Sequence, residues 1–205
     1  MNSGNGTLII ACGALAHEVA ALRRTNGWAV DVQCLPPELH NRPERIAPAV
    51  REQIHAHRAQ YRKIFVAYGE CGTGGALDKM LAEEGIERLP GAHCYEFYAG
   101  SQAFAALADA EPGTFYLTDF LTRHFERLVI QGLGIDRHPQ LAEMYFHNYR
   151  KVVYLAQTRS NALTEEARRI AARLNLQFEE HFTGFGLLGE RLAAIAPETI
   201  PTWQT

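Results

Sequence analysis

The segment KIFVAYGECGTGGALD, residues 63–78, joins an apolar run to a glycine-rich turn and then to the start of a helical pattern. Its apolar part, Ile64–Ala67, is continuous rather than alternating, which is typical of a strand buried on both faces of a parallel sheet. Cys71 lies in the turn, just beyond the point where that strand should end. The segment therefore predicts a strand–turn–helix unit of an α/β fold, with a thiol at the carboxyl end of the strand.

The same alternation of strand-like and helical segments continues along the chain. Short apolar runs of strand length recur at 8–11, 28–35, 64–67, 86–92, 114–120, 151–157 and 176–182. Strands that alternate with helices indicate an α/β fold in which a mostly parallel sheet is flanked by helices, as in Rossmann-like proteins. The order of elements is similar in 7–112 and 113–196, so residues 1–205 are interpreted as one domain that can be divided into two pseudo-repeated halves.

Composition restricts the classes of function. The 205 residues are 47% apolar and 21% charged, with a formal net charge of −3, which argues against nucleic acid as a partner. No run approaches the roughly 18 apolar residues that a membrane span requires. A signal peptide has Lys or Arg before its apolar run, and this chain has neither before its first apolar run. With four cysteines and no secretory signal, we expect a cytoplasmic protein that acts on a small molecule.

Three of the four cysteines come after predicted strands. Cys12 and Cys94 each follow a short apolar run, as Cys71 does, and each has glycines nearby that let the backbone approach a ligand. The carboxyl ends of parallel strands meet at one edge of a sheet, which is where ligands bind in such folds. We therefore expect these three thiols to lie together. Cys34 lies inside a strand pattern and is predicted to be a core residue.

A cluster of three thiolates is a typical metal site. It suits zinc, or an iron–sulfur cluster with one iron open to substrate, and the softness of sulfur does not separate these two. His17 and His93 are candidates for a nitrogen ligand. Because no CxxC pair is present and an isolated cysteine is more often a core residue, the prediction depends on the convergence of Cys12, Cys71 and Cys94.

The glycine-rich turn allows two other interpretations. GECGTGG could bind a phosphate at the start of a helix, although it lacks the Lys-Ser/Thr pair of a P-loop. Gly72 and Thr73 are therefore candidate substrate-binding residues. Alternatively, Cys71 could be a metal-free nucleophile with His93 as its base, since a helix N-terminus lowers the pKa of a thiol.

A second candidate region is LPPELHNRPERI, residues 35–46. Two prolines make the turn rigid, and His40, Asn41 and Arg42 follow it as candidate substrate-binding residues. Arg42 is suited to clamp a carboxylate or phosphate by two parallel hydrogen bonds. Half of the pattern is also explained by a helix start, with Asn41 as the N-cap and Pro43 at the first helical position. Glu18 or His93 is the predicted catalytic acid or base.

At these motifs the chain resembles the family called domain of unknown function 1638. The resemblance rests on ACGALAHEV, LPPELHNRPERI, YGECGTGG, GAHCYEFYAGS and GTFYLTDF, which span about residues 8–120 in matching order and spacing. Many members read His-Asp-Cys where this chain has His93-Cys94. The resemblance implies an association with corrinoid-dependent methyltransferase systems for methylamines and betaines. The arrangement of single cysteines on successive α/β loops also resembles that of quinolinate synthase, which holds an open iron–sulfur cluster. This second likeness is an architectural analogy alone.

These observations lead to one functional hypothesis with two alternatives. The hypothesis is a metal-dependent enzyme that acts on a small polar metabolite in one-carbon or methylated-amine metabolism. The first alternative is an accessory protein that supplies a metal or cofactor to a protein partner in a methyltransferase system. The second is a metal-free thiol enzyme. The sequence leaves the oligomeric state open.

Overall fold

Parallel pairing of short strands organises the chain. In the computed structural model, which describes residues 6–196, six strands form two three-stranded parallel sheets that are flanked by helices. The predicted α/β class with parallel strands is confirmed, and the strands are divided between two sheets. Two compact units result, and the chain passes from one to the other after Cys94 and again after Leu187. None of the helices in residues 6–196 is long and apolar enough to cross a membrane.

The first unit contains a sheet with the strand order β2-β1-β3, in which β1 pairs in parallel with both neighbours. Every residue of β1 is buried, because a central strand is covered on both faces and at both edges. The elements of this unit up to its first boundary are β1 (Thr7–Cys12), α1 (Ala16–Asn26), β2 (Val30–Leu35), α2 (Ile46–His57), β3 (Lys63–Ala67) and α3 (Ala76–Glu84).

Helix α2 covers the sheet with the face expected from its sequence. Ile46, Val50 and Ile54 recur every four residues and are fully buried. An apolar stripe with this spacing lies on one side of a helix, so α2 buries it and exposes its polar residues. This four-residue repeat of apolar residues therefore decides which side of α2 faces the core.

Two expectations for this unit were wrong. Cys34 is exposed rather than in the core, because β2 is an edge strand that pairs only with β1. The predicted strand at 86–92 is reduced to a single bridge between Val66 and Arg88. Pro90 has no N–H to continue the pairing beyond Leu89, so the chain turns away there.

The second unit contains a sheet with the strand order β4-β5-β6, again entirely parallel. Its central strand is β5, which is almost completely buried. A π-helical turn at Glu126–Gln131 lies between α6 and α7. The elements from the first boundary onwards are α4 (Cys94–Ala99), α5 (Ser101–Ala110), β4 (Thr114–Thr118), α6 (Asp119–Arg123), α7 (Leu141–Phe146), β5 (Lys151–Ala156), α8 (Asn161–Arg173), β6 (Gln177–Phe182) and α9 (Leu187–Ala193), of which α9 returns to the first unit after Leu187.

A buried carboxylate ties together the carboxyl ends of β4 and β5. Asp119 is 1% exposed, and one of its oxygens accepts hydrogen bonds from the Tyr154 hydroxyl at 2.7 Å and from the Gln157 N–H at 2.9 Å. The other oxygen accepts from the Thr158 N–H at 3.0 Å and from its hydroxyl at 2.5 Å. With four donors, the carboxylate is fully satisfied, so its role in this unit is structural.

We predict that Asp119→Asn lowers the free energy of unfolding by about 2–4 kcal/mol, because an amide group would turn an N–H donor towards buried donors. Urea denaturation followed by circular dichroism measures this loss. Asp136→Asn is the matched control, since the Asp136 side chain is 39% exposed and lies 3.8 Å from Arg137. That control should change stability by about 0–1 kcal/mol. Equal effects of the two substitutions would show that the Asp119 network does not stabilise the fold.

Candidate functional site

Three cysteines lie at the carboxyl edge of the first sheet. Cys12 is the last residue of β1 and is 3% exposed, whereas Cys71 follows β3 by four residues and is 8% exposed. Cys94 is the first residue of α4 and is partly exposed. Beyond burial, the charges of Cys71 and Cys12 raise the pKa of Cys94, so the three thiols lie close enough to influence one another.

The turn after β1 is compact because of one glycine. A Cβ atom on Gly13 would lie 2.7 Å from the Leu35 carbonyl oxygen and 2.9 Å from Pro37 Cδ, which leaves no space for a side chain. The Cys12 sulfur accepts a hydrogen bond from the Ala14 N–H at 3.3 Å and so caps the short 3₁₀ turn Gly13–Leu15. The close approach brings the end of β2, with its Pro-Pro turn, against the Cys12 loop.

The loops that carry Cys71 and Cys94 are held side by side by backbone hydrogen bonds. The Glu70 N–H donates to the Gly91 carbonyl at 3.0 Å, and the Cys71 N–H donates to the Ala92 carbonyl at 2.8 Å. Gly69 permits this pairing, because a Cβ there would meet the Ala92 oxygen at 3.1 Å. Residues 86–92 therefore do not extend the sheet, but they place the Cys94 loop next to the Cys71 loop.

Cys71 has a left-handed backbone conformation, with φ of 53°. Such a conformation is uncommon for a residue with a Cβ and is a form of local strain that concentrates at functional sites. The following residue, Gly72, also has a positive φ of 77°, which a glycine adopts without strain. The turn thus places a thiol at a position where glycine would be conformationally easier.

The glycine-rich turn is organised around its own carboxylate. Glu70 accepts hydrogen bonds from the Gly72 N–H at 2.8 Å, the Gly75 N–H at 3.0 Å and the Thr73 hydroxyl at 2.6 Å. The bonds from Gly75, Thr73 and Gly72 lower the pKa of Glu70 to about 2, in that order of importance. An internal anion therefore occupies the N–H groups that a phosphate would need, so the geometry does not favour the phosphate interpretation, and Gly72 and Thr73 serve Glu70.

His40 lies beside the Cys12 thiol. Its two ring nitrogens, Nδ1 and Nε2, are 3.9 Å and 4.0 Å from the Cys12 sulfur. Nδ1 is also 3.1 Å from the Pro37 carbonyl oxygen, and because a carbonyl can only accept, Nδ1 carries the hydrogen. Burial lowers the pKa of His40, an effect to which the nearby charge of His93 adds, so the ring is held neutral.

Tyr68 is the buried neighbour of Cys12 and His40. It follows β3 directly, is fully buried, and its ring stacks on the His40 ring at 6.2 Å with an angle of 11° between the planes. Within residues 6–196 its hydroxyl has no nitrogen or oxygen partner, and the Cys12 thiol is the polar group that interacts with it. Burial, followed by the charges of Cys12 and Cys71, raises the pKa of Tyr68.

The environment keeps the thiols protonated at neutral pH. Burial raises the pKa of Cys12 to about 12 and that of Cys71 to about 11. A backbone hydrogen bond from Gly69 and the charge of Arg88, which donates two hydrogen bonds to the carboxylate of Asp78, lower the pKa of Cys71 but do not outweigh burial. A metal-free nucleophile requires a thiolate near neutral pH, so these pKa shifts do not favour the thiol-enzyme interpretation.

Of the other predicted site residues, some lie near the thiols and others are exposed. Glu18 is 2% exposed on α1, and its charge contributes to the raised pKa of Cys94, so it lies near the thiols. His93 is exposed but close enough to influence His40. Asn41 and Arg42 are exposed, and Arg42 is the residue that separates two short 3₁₀ turns. His17 is exposed on α1.

Among residues 6–196, no group of three or more His, Cys, Asp and Glu side chains is already arranged as a metal site. Sequence reasoning missed the contributions of Tyr68 and Glu70. Tyr68 could have been found from its position directly after the strand of residues 64–67. Glu70 could not, because its role depends on the turn conformation rather than on residue type.

Residues 34–192 match the model of the family described as protein of unknown function (DUF1638). The chain belongs to the DUF1638 family. The match covers most of the chain and confirms the resemblance inferred from the motifs. No curated protein and no solved structure matches the chain.

We predict that Glu70→Gln destabilises this DUF1638 protein in a pH-dependent way. The folded state depresses the pKa of Glu70 from 4.5 to about 2, so its contribution is fully present above 4.5 and is lost as the pH falls towards 2. Urea denaturation at several pH values should therefore show a gap between wild type and Glu70→Gln that closes as the pH falls through this window.

Glu87→Gln is the matched control, because Glu87 is exposed and lies in the same unit. The control should follow the wild type at each pH. A gap for Glu70→Gln that stays constant down to pH 2 would contradict the carboxylate-centred description of the turn.

Proposed function

We propose that Cys12, Cys71 and Cys94 bind one metal centre, zinc or an iron–sulfur cluster, and that the protein uses it as an enzyme on a small polar metabolite. The observation that carries the proposal is the convergence of three largely buried thiols from three separate loops. Their protons are held tightly because burial disfavours all three thiolates, and the charges of neighbouring thiols add to this effect at Cys12 and Cys94. A soft cation that replaces these protons would relieve both effects at once.

The type of metal follows from the ligands. Thiolate sulfur favours zinc or iron–sulfur centres over magnesium and calcium, which prefer oxygen. Since the side chains are not yet arranged around one point, binding requires the thiols to turn towards a common centre. The loops that lead to Cys71 and Cys94 are already held side by side, because their backbones are hydrogen-bonded at Cys71 and Ala92.

A buried carboxylate favours an enzyme over a carrier. Glu18 lies within α1, close enough to Cys94 to raise its pKa, and a carboxyl group beside a metal centre can hold or transfer a proton. The metal would supply Lewis acidity when bound. His93, exposed near His40, is the second candidate for proton transfer. The resemblance to proteins near methyltransferase systems directs the choice of test compounds to methylated amines, betaines and one-carbon carriers.

The metal prediction is tested on protein purified without oxygen. Wild type should contain zinc, or iron and sulfide with broad visible absorption, and each of Cys12→Ser, Cys71→Ser and Cys94→Ser should lose most of that metal. Cys34→Ser is the matched control, because Cys34 is exposed on β2 and should retain the wild-type metal content. Circular dichroism separates loss of metal from loss of folding. Wild type that binds neither metal after reconstitution would refute the proposal.

Ligand binding by Arg42 variants distinguishes the enzyme hypothesis from the carrier hypothesis. If Arg42 clamps an anionic part of a substrate, Arg42→Lys keeps the charge but loses the planar fork, so it should bind as poorly as Arg42→Ala. A thermal-shift screen of small carboxylates, amines and phosphates provides the measurement, and a ligand at 100 times its Kd stabilises by about 2.7 kcal/mol.

Arg45→Ala is the control, because Arg45 is an exposed arginine in the adjoining 3₁₀ turn. A ligand that stabilises wild type and Arg45→Ala, but neither Arg42 variant, supports a substrate site at Arg42. Ligands that stabilise all four proteins equally would exclude Arg42 from substrate binding and favour the carrier.

A further inference from the structure

The position of His40 assigns it a role other than substrate binding. Its ring lies beside Cys12, with its two nitrogens 3.9 Å and 4.0 Å from the Cys12 sulfur. We infer that His40 is the fourth ligand of the metal centre, that it binds through Nε2, and that the site is therefore of the Cys₃His type. This inference rests on the proposed three-thiolate centre.

The Cys12–His40 distance is close to the value required for a shared metal. With a metal–sulfur bond of about 2.3 Å and a metal–nitrogen bond of about 2.0 Å at a tetrahedral angle, the two ligand atoms are about 3.5 Å apart. The observed distance from the Cys12 sulfur to His40 Nε2 is 4.0 Å. Because Nδ1 is equally near the sulfur, at 3.9 Å, the tetrahedral geometry requires a side-chain rotation that turns Nε2 towards the shared metal and shortens this distance by about 0.5 Å.

The correct nitrogen of His40 is available. Nδ1 donates its hydrogen to the Pro37 carbonyl, so Nε2 carries the lone pair that a metal requires. Metal-binding histidines almost always have an outer hydrogen bond of this kind, which fixes the tautomer and the orientation of the ring. Within residues 6–196, Nε2 has no nitrogen or oxygen partner that would compete with a metal.

Two features restrict the orientation of the His40 ring. Pro36 and Pro37 restrict the turn that leads into the 3₁₀ segment Pro37–Asn41, and so they fix the start of the segment that carries His40. The buried ring of Tyr68 stacks on the His40 ring, with the two centroids 6.2 Å apart. The hydrogen bond at Nδ1 leaves the lone pair on Nε2 near a thiol, which is the tautomer that a metal-binding histidine requires.

A fourth protein ligand changes how a substrate reaches the metal. Three thiolates and one imidazole complete a tetrahedral zinc site, which leaves no open position. A substrate could then bind only if His40 left the metal or if the coordination number increased to five. His40 would in that case control access to the centre, and this separates it from the exposed Asn41 and Arg42 on the same loop.

The test uses the full-length protein, stripped of metal and titrated first with Co²⁺ and then with competing Zn²⁺. Wild type should show intense thiolate-to-cobalt absorption in the near ultraviolet and tetrahedral cobalt bands in the visible. His40→Ala should keep the thiolate absorption but shift and weaken the visible bands, because water replaces the nitrogen. Its Zn²⁺ affinity should fall at least about tenfold to hundredfold, the loss produced even by removal of an outer partner of a ligand.

His17→Ala is the matched control, because His17 is an exposed histidine of the same unit, and it should reproduce the wild-type spectrum and affinity. Wild-type visible bands and affinity in His40→Ala would overturn the inference, as would their loss in His93→Ala instead. These outcomes leave the three-thiolate proposal intact, since the thiolate absorption remains. Absence of thiolate-to-cobalt absorption in wild type refutes the three-thiolate proposal, and the inference with it.

A measurement on wild type covers the case in which His40→Ala does not fold. With ¹⁵N-labelled histidine, Zn²⁺ should move the Nε2 resonance of one histidine while its Nδ1 stays protonated. The chain has nine histidines, and the shifted resonance is assigned to His40 by replacing each of the other eight in turn with alanine, because it should persist in every one of these variants. Loss of that resonance in any of them, or no histidine shift while cobalt binds to thiolates, overturns the inference.

Discussion

The parallel pairing of β1 with a strand on each side is the constraint on which the rest of the site depends. Because β1, β2 and β3 all run in one direction, the three loops that follow them leave from one edge of the sheet. Reversal of β1 or β3 would send a cysteine loop to the opposite edge. The hydrogen bonds of Glu70 and Cys71 to residues 91–92 then bring a fourth segment, with Cys94, to the same edge without a fourth strand.

Electrostatics gives this edge its chemical character. Thiols, an imidazole and a phenol are collected where water is largely excluded, and burial is the leading cause of the pKa shifts of Cys12, Cys71, Tyr68 and His40. Each of these shifts favours the uncharged form. Glu70, whose pKa is strongly lowered, is turned into the backbone of its own loop. The thiols, the imidazole and the phenol are thus uncharged by default, and the buried carboxylate of Glu18 lies near them, which suits this edge to a ligand that brings positive charge.

Much of this arrangement follows from the sequence. The continuous apolar run at Ile64–Ala67 and the turn beyond it predict a parallel strand, and parallel strands alone predict that Cys12 and Cys71 share an edge. The exposure of Cys34 could not be predicted, because periodicity does not reveal which strand lies at an edge. The contact between His40 and Cys12 depends on the fit of Gly13 against Leu35, which is a matter of space rather than of residue pattern.

The left-handed backbone of Cys71 has a consequence for how this chain tolerates change. A glycine at that position would adopt φ of 53° without steric cost, and asparagine would adopt it more easily than most other residues. Selection for stability alone would therefore favour the replacement of Cys71 by glycine or asparagine. A cysteine there costs folding free energy relative to glycine, so the proposed metal site would place opposite demands on this position: stability favours glycine, and metal binding requires the thiol.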